Sequence, residues 1–284
     1  MSSFSVVIFG DLQERNDIAR RMIALAADMQ PDFCIILGDL VGTASDLGQW
    51  EESAGMLQPL EQSCEVAVLP GNHDYESAGV ADNFRARFRP PQAPTYMALK
   101  RGGCRFILLD TMLYDRDKVE CGDFPSDSPQ AVWLESELQE AKELGEPVFV
   151  CGHHPIFMSS ELYFCTSTTI RVDESGSELT LGTLLPMLLQ GGAQMYFAGH
   201  IHLYEKSKYQ DMHCITSGAT SYEPPKLQEG GNSFSELRIE KYHLCRLDIG
   251  DGLVKFQAVD ESGAVIDEWQ EALRIHLPSA ARSR

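Results

Sequence analysis

Short apolar runs, each broken by glycine and a polar cluster, recur along the first two thirds of the chain. Val6 to Phe9, Phe33 to Leu37, Glu65 to Leu69, Arg105 to Leu109, Val148 to Cys151 and Met195 to Ala198 show little alternation. Runs of this kind predict strands buried on both faces, as in a largely parallel sheet. Between them the period changes. Ile18, Met22, Leu25 and Met29 recur at helical spacing before Pro31, and Trp50 to Leu60 predicts a second helix. Ser128-Pro129 supplies an N-cap and a first-position proline for a helix through Trp133, Leu134, Leu138 and Ala141. Leu184 to Gln190 predicts a short helix stopped by Gly191-Gly192. The order strand, turn, helix, strand implies parallel crossovers, with successive strands ending on one rim.

Elsewhere the pattern is weaker or of another kind. Ala81 to Pro94, rich in Arg and Pro, predicts irregular surface structure. Residues 157–180 carry neither period and predict a loop near the rim, a place where substrate choice commonly resides. Met212 to Thr216 predicts a short strand before Ser217-Gly218-Ala219. Cys245 to Ile249, Leu253 to Val259 and Ala264 to Glu268 are separated by turn residues and predict antiparallel hairpins. With no repeat and no linker, residues 1–277 read as a single α/β domain that includes the hairpins from about residue 243, and 278–284 read as a loose tail.

Composition narrows the partners. The 284 residues carry 42 acidic and 23 basic side chains, a formal charge of −19, which repels nucleic acid polymers and anionic membrane surfaces. A small anionic substrate is compatible with this charge if metal ions reverse the local field. No apolar window reaches the length of a membrane span, and the first apolar run is only strand length. Eight cysteines occur without a Cys-x-x-Cys pair, five of them (Cys34, Cys104, Cys151, Cys214 and Cys245) inside apolar runs. They read as free thiols of a reducing compartment, so a cytoplasmic protein is expected; the oligomeric state is left open.

The candidate chemistry lies where the apolar runs end. The breaks read Gly10-Asp11-Leu12-Gln13, Gly38-Asp39, Gly71-Asn72-His73-Asp74, Gly152-His153-His154-Pro155 and Gly199-His200-Ile201-His202. In extended chain, residues two apart point the same way, so His200 and His202 can face one site. Asp11, Asp39, Asn72, His73, His153, His200 and His202, with Gln13 beside Asp11, offer carboxylates, amides and imidazoles but no thiolate. That set suits Mn²⁺, Fe or Zn²⁺ rather than an iron–sulfur cluster or structural zinc. It is too large for one ion. Two ions about 3.5–4 Å apart, sharing one carboxylate, would use it and would suit in-line displacement at phosphorus. Other candidates have plainer readings. His154 either packs beside Pro155 or reaches substrate; Asp110 caps a turn; Tyr204 is half-buried; and His213, His243 and His276 are structural.

In this order, the blocks from Asp11 to His202 resemble those of the calcineurin-like metallophosphoesterase superfamily. The resemblance implies an α/β fold, a four-layer αββα sandwich of two mixed sheets flanked by helices. It also implies two divalent or mixed-valence metal ions, manganese foremost, with iron or zinc as alternatives. Carried over, Asp39 bridges the ions, Asp11 and His202 hold one, and Asn72, His153 and His200 hold the other. His73 contacts the phosphate and assists the leaving group, with Asp74 orienting its ring. The implied activity is hydrolysis of a small phosphodiester or nucleotide-like ester by a hydroxide held at the metals. A phosphomonoesterase is the near alternative, and a scaffold with a degenerate site the remote one. The first block departs from the usual Asp-x-His, because Gln13 stands in the histidine position. A similar Asp-x-Gln occurs in a branch resembling manganese-dependent ADP-ribose/CDP-alcohol pyrophosphatases. Gln13 is either a weak amide ligand that favours Mn²⁺ over Zn²⁺ or an ordinary turn residue. The tyrosine that purple acid phosphatases supply after the second block has no counterpart in Leu40-Val41-Gly42.

Overall fold

The computed structural model describes residues 3–77, 79–113, 125–157, 159, 170–172, 178–180, 182–224, 226–227 and 232–275. The chain begins with β1 (Phe4–Phe9), α1 (Asn16–Asp28), β2 (Phe33–Ile36), α2 (Leu47–Glu61), β3 (Glu65–Val68) and α3 (Asp82–Phe88). It continues through β4 (Met97–Arg101), β5 (Cys104–Leu108), α4 (Pro129–Leu144), β6 (Val148–Cys151), β7 (Ile170–Val172), β8 (Glu178–Thr180) and α5 (Leu184–Gly191). The last part holds β9 (Met195–Ala198), β10 (Tyr204–Tyr209), β11 (Met212–Ser217), β12 (Ser235–Ile239), β13 (His243–Gly250), β14 (Leu253–Asp260) and β15 (Val265–Ala272).

Alternate residues of the central strands enter different cores. On β1, Val6 and Ile8 join a cluster shared with Phe106, Phe149 and Phe197, whereas Val7 and Phe9 join Met22, Ile23 and Leu57 of α1 and α2. On β6, Phe149 and Cys151 enter that shared cluster, and Val150 faces Leu134, Leu138 and Leu188 of α4 and α5. Period-two side chains on strands buried from both faces thus make one core between two sheets and one beneath each helical layer. The sheets run β15-β14-β13-β1-β2-β3 and β12-β10-β11-β9-β6-β5-β4, and both mix parallel and antiparallel pairs. This is the expected layered sandwich, and the hairpin strand β13 pairs directly with β1.

Several segments depart from the sequence expectation. The Arg-rich stretch after Ala81 forms α3, because Phe84 is fully buried with Phe88 packed beside it, and Glu76 accepts from the N–H groups of Asp82 and Asn83 at the helix start. Arg89, just past the helix, turns inward and donates to Val68 O and Thr95 O. Strands β4, β10 and β12 were not foreseen, since each mixes charged and apolar residues at a sheet edge or next to one. Within 157–180, β7 and β8 pair antiparallel where a loop is expected. The rest of that stretch beyond 157 and 159, with Cys121, Cys165, His276 and the tail 278–284, lies outside the described residues. Tyr204 is fully buried rather than half-buried, its hydroxyl donating to Asp267 at 2.6 Å. Ser128 caps α4 as expected, accepting from Ala131 N–H. The fully buried Arg105 pins that helix to β5 through Glu137, Glu140 and Glu146. Among the described residues, no helix is long and apolar enough to cross a membrane.

Candidate metal centre

The candidate ligands leave the carboxyl ends of β1, β2 and β3 in one sheet and of β6 and β9 in the other, and they meet at the rim between the sheets. Asp11, Asp39 and His200 take left-handed backbone angles, with φ of 62°, 54° and 66°. Such angles cost about 1–3 kcal/mol at a non-glycine residue and persist only where neighbours hold them. Here they are held. Asp11 N–H donates to Gly38 O at 3.0 Å and Leu12 N–H to Asp39 O at 2.8 Å. The buried Asp74 carboxylate accepts from the N–H groups of Asp39, Leu40 and Gly71 at 2.8–2.9 Å, tying the end of β2 to that of β3. The glycine before His200 has a spatial cause: a Cβ on Gly199 would lie 2.5 Å from Asp11 Oδ2.

Inside this frame the ligand atoms converge. Oxygens of Asp11 and Asp39 and a ring nitrogen of His153 all lie within 4.8 Å of one another. His153 Nδ1 sits 2.7 Å from Leu37 O, and a carbonyl only accepts, so Nδ1 carries a hydrogen and Nε2 is the nitrogen turned inward. That nitrogen faces Asn72 Oδ1 at 2.9 Å and Asp39 Oδ2 at 3.4 Å. Asn72 Oδ1 also lies 3.0 Å from His200 Nδ1, and Asp11 Oδ1 lies 3.5 Å from His202 Nε2. Carboxylate and amide oxygens and ring nitrogens thus converge on one space, where ring protons or a bound cation can hold them together; the donor set fits manganese, iron or zinc. Without a metal, a proton on His153 meets this demand. Burial opposes charge on His153, yet the Asp39 and Asp11 carboxylates outweigh it and raise its pKa to about 9. Asp39 is held well below the carboxylate range: burial opposes its charge, but the neighbouring His153 overrides it. His200, buried and beside His153, falls to about 3.

The remaining candidates sit around this centre. Gln13 Nε2 donates to Asp39 Oδ2 at 3.2 Å, and its buried Oε1 has no partner among the described residues. Turning the amide by half a revolution would place that oxygen beside the carboxylate, facing the same space. Gln13 therefore borders the centre. His73 projects at its edge, where Nδ1 lies 3.0 Å from Gly42 O. The expected contact from Asp74 to the His73 ring is not formed, because backbone N–H groups occupy the Asp74 carboxylate. Asp74 shapes the loop, and the Gly42 carbonyl orients the ring. His154 is buried, with Nδ1 2.8 Å from Thr111 Oγ1, Nε2 without a partner among the described residues and its ring 4.5 Å from that of His200. Asp110 caps its turn through Met112 N–H and also accepts from Tyr75 and Thr95. His213 stacks on Trp269 and His243 contacts Tyr204, both within the framework.

One segment that holds the centre was missed. Thr220 Oγ1 accepts from Gly10 N–H, Ser221 donates twice to Asp11 O, and Tyr222 stacks on His202 at 3.6 Å. The available signal was that β11, parallel to β9, ends on the same rim just before it. Two clefts of about 300 Å³ and about 290 Å³ open beside Gln13 and His73 and share Gly42.

Residues 4–204 match the calcineurin-like phosphoesterase family. The chain is 25% identical over 194 residues to probable purple acid phosphatase 20 of Arabidopsis thaliana, covering 63% of this chain and 42% of that protein. It is 28% identical over 166 residues to sphingomyelinase phosphodiesterase D of Dictyostelium discoideum, covering 51% and 37%. The chain thus spans about two fifths of the length of these relatives. Among solved structures, purple acid phosphatase PPD1 of yellow lupin superposes with a TM-score of 0.78 at 16% identity, over 95% of this chain and 54% of that one. A dimetal phosphatase of Danio rerio gives 0.62 at 13% identity, over 95% and 99%. At these identities the likeness speaks for the fold.

Proposed function

Starting from a chain that belongs to the calcineurin-like phosphoesterase family, we propose a dinuclear metal-dependent hydrolase of small phosphodiester or nucleotide-like esters. The observation that carries this reading is the convergence of His153 Nε2 with oxygens of Asn72, Asp39 and Asp11 at one rim. In the proposed centre Asp39 would be shared by two ions, Asp11 and His202 would hold one, and Asn72, His153 and His200 would hold the other. Gln13 joins the first through its amide oxygen, a weaker donor than imidazole, so manganese is favoured over zinc and iron. The ions supply Lewis acidity toward the phosphoryl oxygens and an activated water.

The chain's own groups do the rest. The acceptor Gly42 O fixes the hydrogen of His73 on Nδ1, so Nε2 is the nitrogen that meets substrate. As an imidazolium it donates to the phosphate or to the departing oxygen; as a neutral ring it accepts. The clefts beside Gln13 and His73 are lined by Glu14, Glu52 and Glu76, with no Lys or Arg among the described residues that line them. A singly charged diester meets less repulsion there than a doubly charged monoester, which supports the diester reading. The phosphatase names of several relatives favour a phosphomonoesterase as the second reading. The join of β13 to β1 supports one domain through residue 277, and the free thiols support a cytoplasmic setting.

The test is metal analysis of protein purified without chelator, followed by hydrolysis of p-nitrophenyl and bis-p-nitrophenyl phosphate with added Mn²⁺. The expected result is bound metal and faster turnover of the diester. Faster turnover of the monoester selects the second reading. Absence of metal and of all turnover selects a degenerate scaffold.

A further inference from the structure

Away from the metal centre, Cys34 and Cys64 bring their sulfurs to 3.7 Å although thirty residues separate them in the chain. It is the single thiol–thiol contact among the described residues. Cys34 lies fully buried on β2, on the face packed by α1 and α2. Cys64 follows the C-terminal turn of α2, directly before β3, and is partly exposed. Val66 is the cross-strand partner of Cys34, so Cys64 approaches it diagonally from the same face. The other described cysteines, Cys104, Cys151, Cys214 and Cys245, are buried without such a neighbour.

We propose that Cys34 and Cys64 form a peroxide-oxidisable dithiol that closes reversibly to a disulfide between β2 and the entry to β3. The pair divides the work by exposure. Cys64 is reachable from solvent, and its sulfur contact with Cys34, helped by Ser63 and opposed by partial burial, lowers its pKa to about 7, giving it thiolate character. Its thiolate attacks one oxygen of hydrogen peroxide, forming a sulfenic acid and releasing hydroxide. The Cys34 thiol then loses its proton and attacks the Cys64 sulfur; the S–S bond forms as the sulfenic oxygen leaves as water. In sum, two thiols are oxidised to one disulfide and one peroxide is reduced to two waters. A reducing thiol reverses the step. The closed loop contains α2 and Asp39, so the bond ties together the two strands that carry Asp39 and Asn72. It restrains the unfolded chain across thirty residues and raises resistance to unfolding.

The pair is tested on the full chain treated with hydrogen peroxide, then alkylated. Trypsin leaves both cysteines on one peptide from Met22 to Arg85, so cleavage at Asp and Glu is needed to separate them. The expected product is a Cys34–Cys64 linked pair of peptides that disappears on reduction, together with a higher Tm before reduction than after. In Cys64→Ala, which changes the partly exposed member and spares the buried one, the linked peptides and the Tm difference both vanish. Recovery of Cys64 as sulfinic acid or still alkylatable, with no linked peptide, overturns the proposal. So does a Tm difference that survives in Cys64→Ala. None of these readouts uses phosphoester turnover, so the proposal stands or falls apart from the hydrolase reading.

Discussion

Asp39 touches three parts of the centre: it receives His73 N–H, meets Gln13 Nε2 and lies 3.4 Å from His153 Nε2. If it bridges two ions, Asp39→Ala loses both bound metal and turnover. Wild-type metal content and rate in that variant would remove the bridge. His73 differs in kind, since its ring stands at the edge, anchored through Nδ1 alone. His73→Ala is expected to keep its metal and to lower kcat about 10²–10⁴-fold, the range for a positioned acid–base group. Metal analysis separates the two roles, because a collapse of occupancy in His73→Ala would make this residue a ligand. At this scale the sequence was informative wherever a side chain had to be of one type, as at Asp11, Asn72 or His200. It was silent on what holds those side chains. Asp74 reads as the partner of His73, yet three backbone N–H groups claim its oxygens.

Among the elements, β13 carries a titratable group that no motif marks. His243 is fully buried, with Nδ1 2.9 Å from Lys241 O, Nε2 without a partner among the described residues and the ring edge-on to Tyr204. Burial lowers its pKa to about 4 from the ordinary 6.5. Below pH 6.5 the unfolded chain therefore binds a proton that the folded chain refuses. This stability is complete above pH 6.5, drains away as the pH falls toward 4, and amounts to about 3 kcal/mol. Urea unfolding of the wild type against His243→Phe across this window should show a shallower pH slope in the variant; equal slopes would discard the assignment. The elements themselves were readable in proportion to their burial. The unalternating core strands were found, whereas α3 was hidden by the arginines that flank its inward Phe84 and Phe88.

The two sheets meet through the apolar core between them, through side-chain bonds such as Tyr204 to Asp267, and again at the rim. Asp11, Asp39 and Asn72 follow strands of one sheet, and His153, His200 and His202 follow strands of the other. Bound ions would therefore fasten sheet to sheet. Chelation is expected to lower the Tm and Mn²⁺ to restore it, with stabilisation of about 2.7 kcal/mol when free metal reaches a hundredfold its Kd. Differential scanning fluorimetry with chelator and then metal reads this directly, and a Tm indifferent to both would deny that the ions link the sheets.

Order along the chain and residue type settled much by themselves: which runs become buried strands, that glycine breaks end them, and that oxygen and nitrogen donors follow each break. These are local properties, set by the period of apolar side chains and by the chemistry a donor atom either has or lacks. Only the tertiary structure decided that the Ser221 hydroxyl and backbone support Asp11, that Tyr222 lies on His202, and that Arg105 holds α4. Such contacts join residues far apart in the chain, and serine, tyrosine and arginine are at home in so many settings that their presence alone specifies no partner.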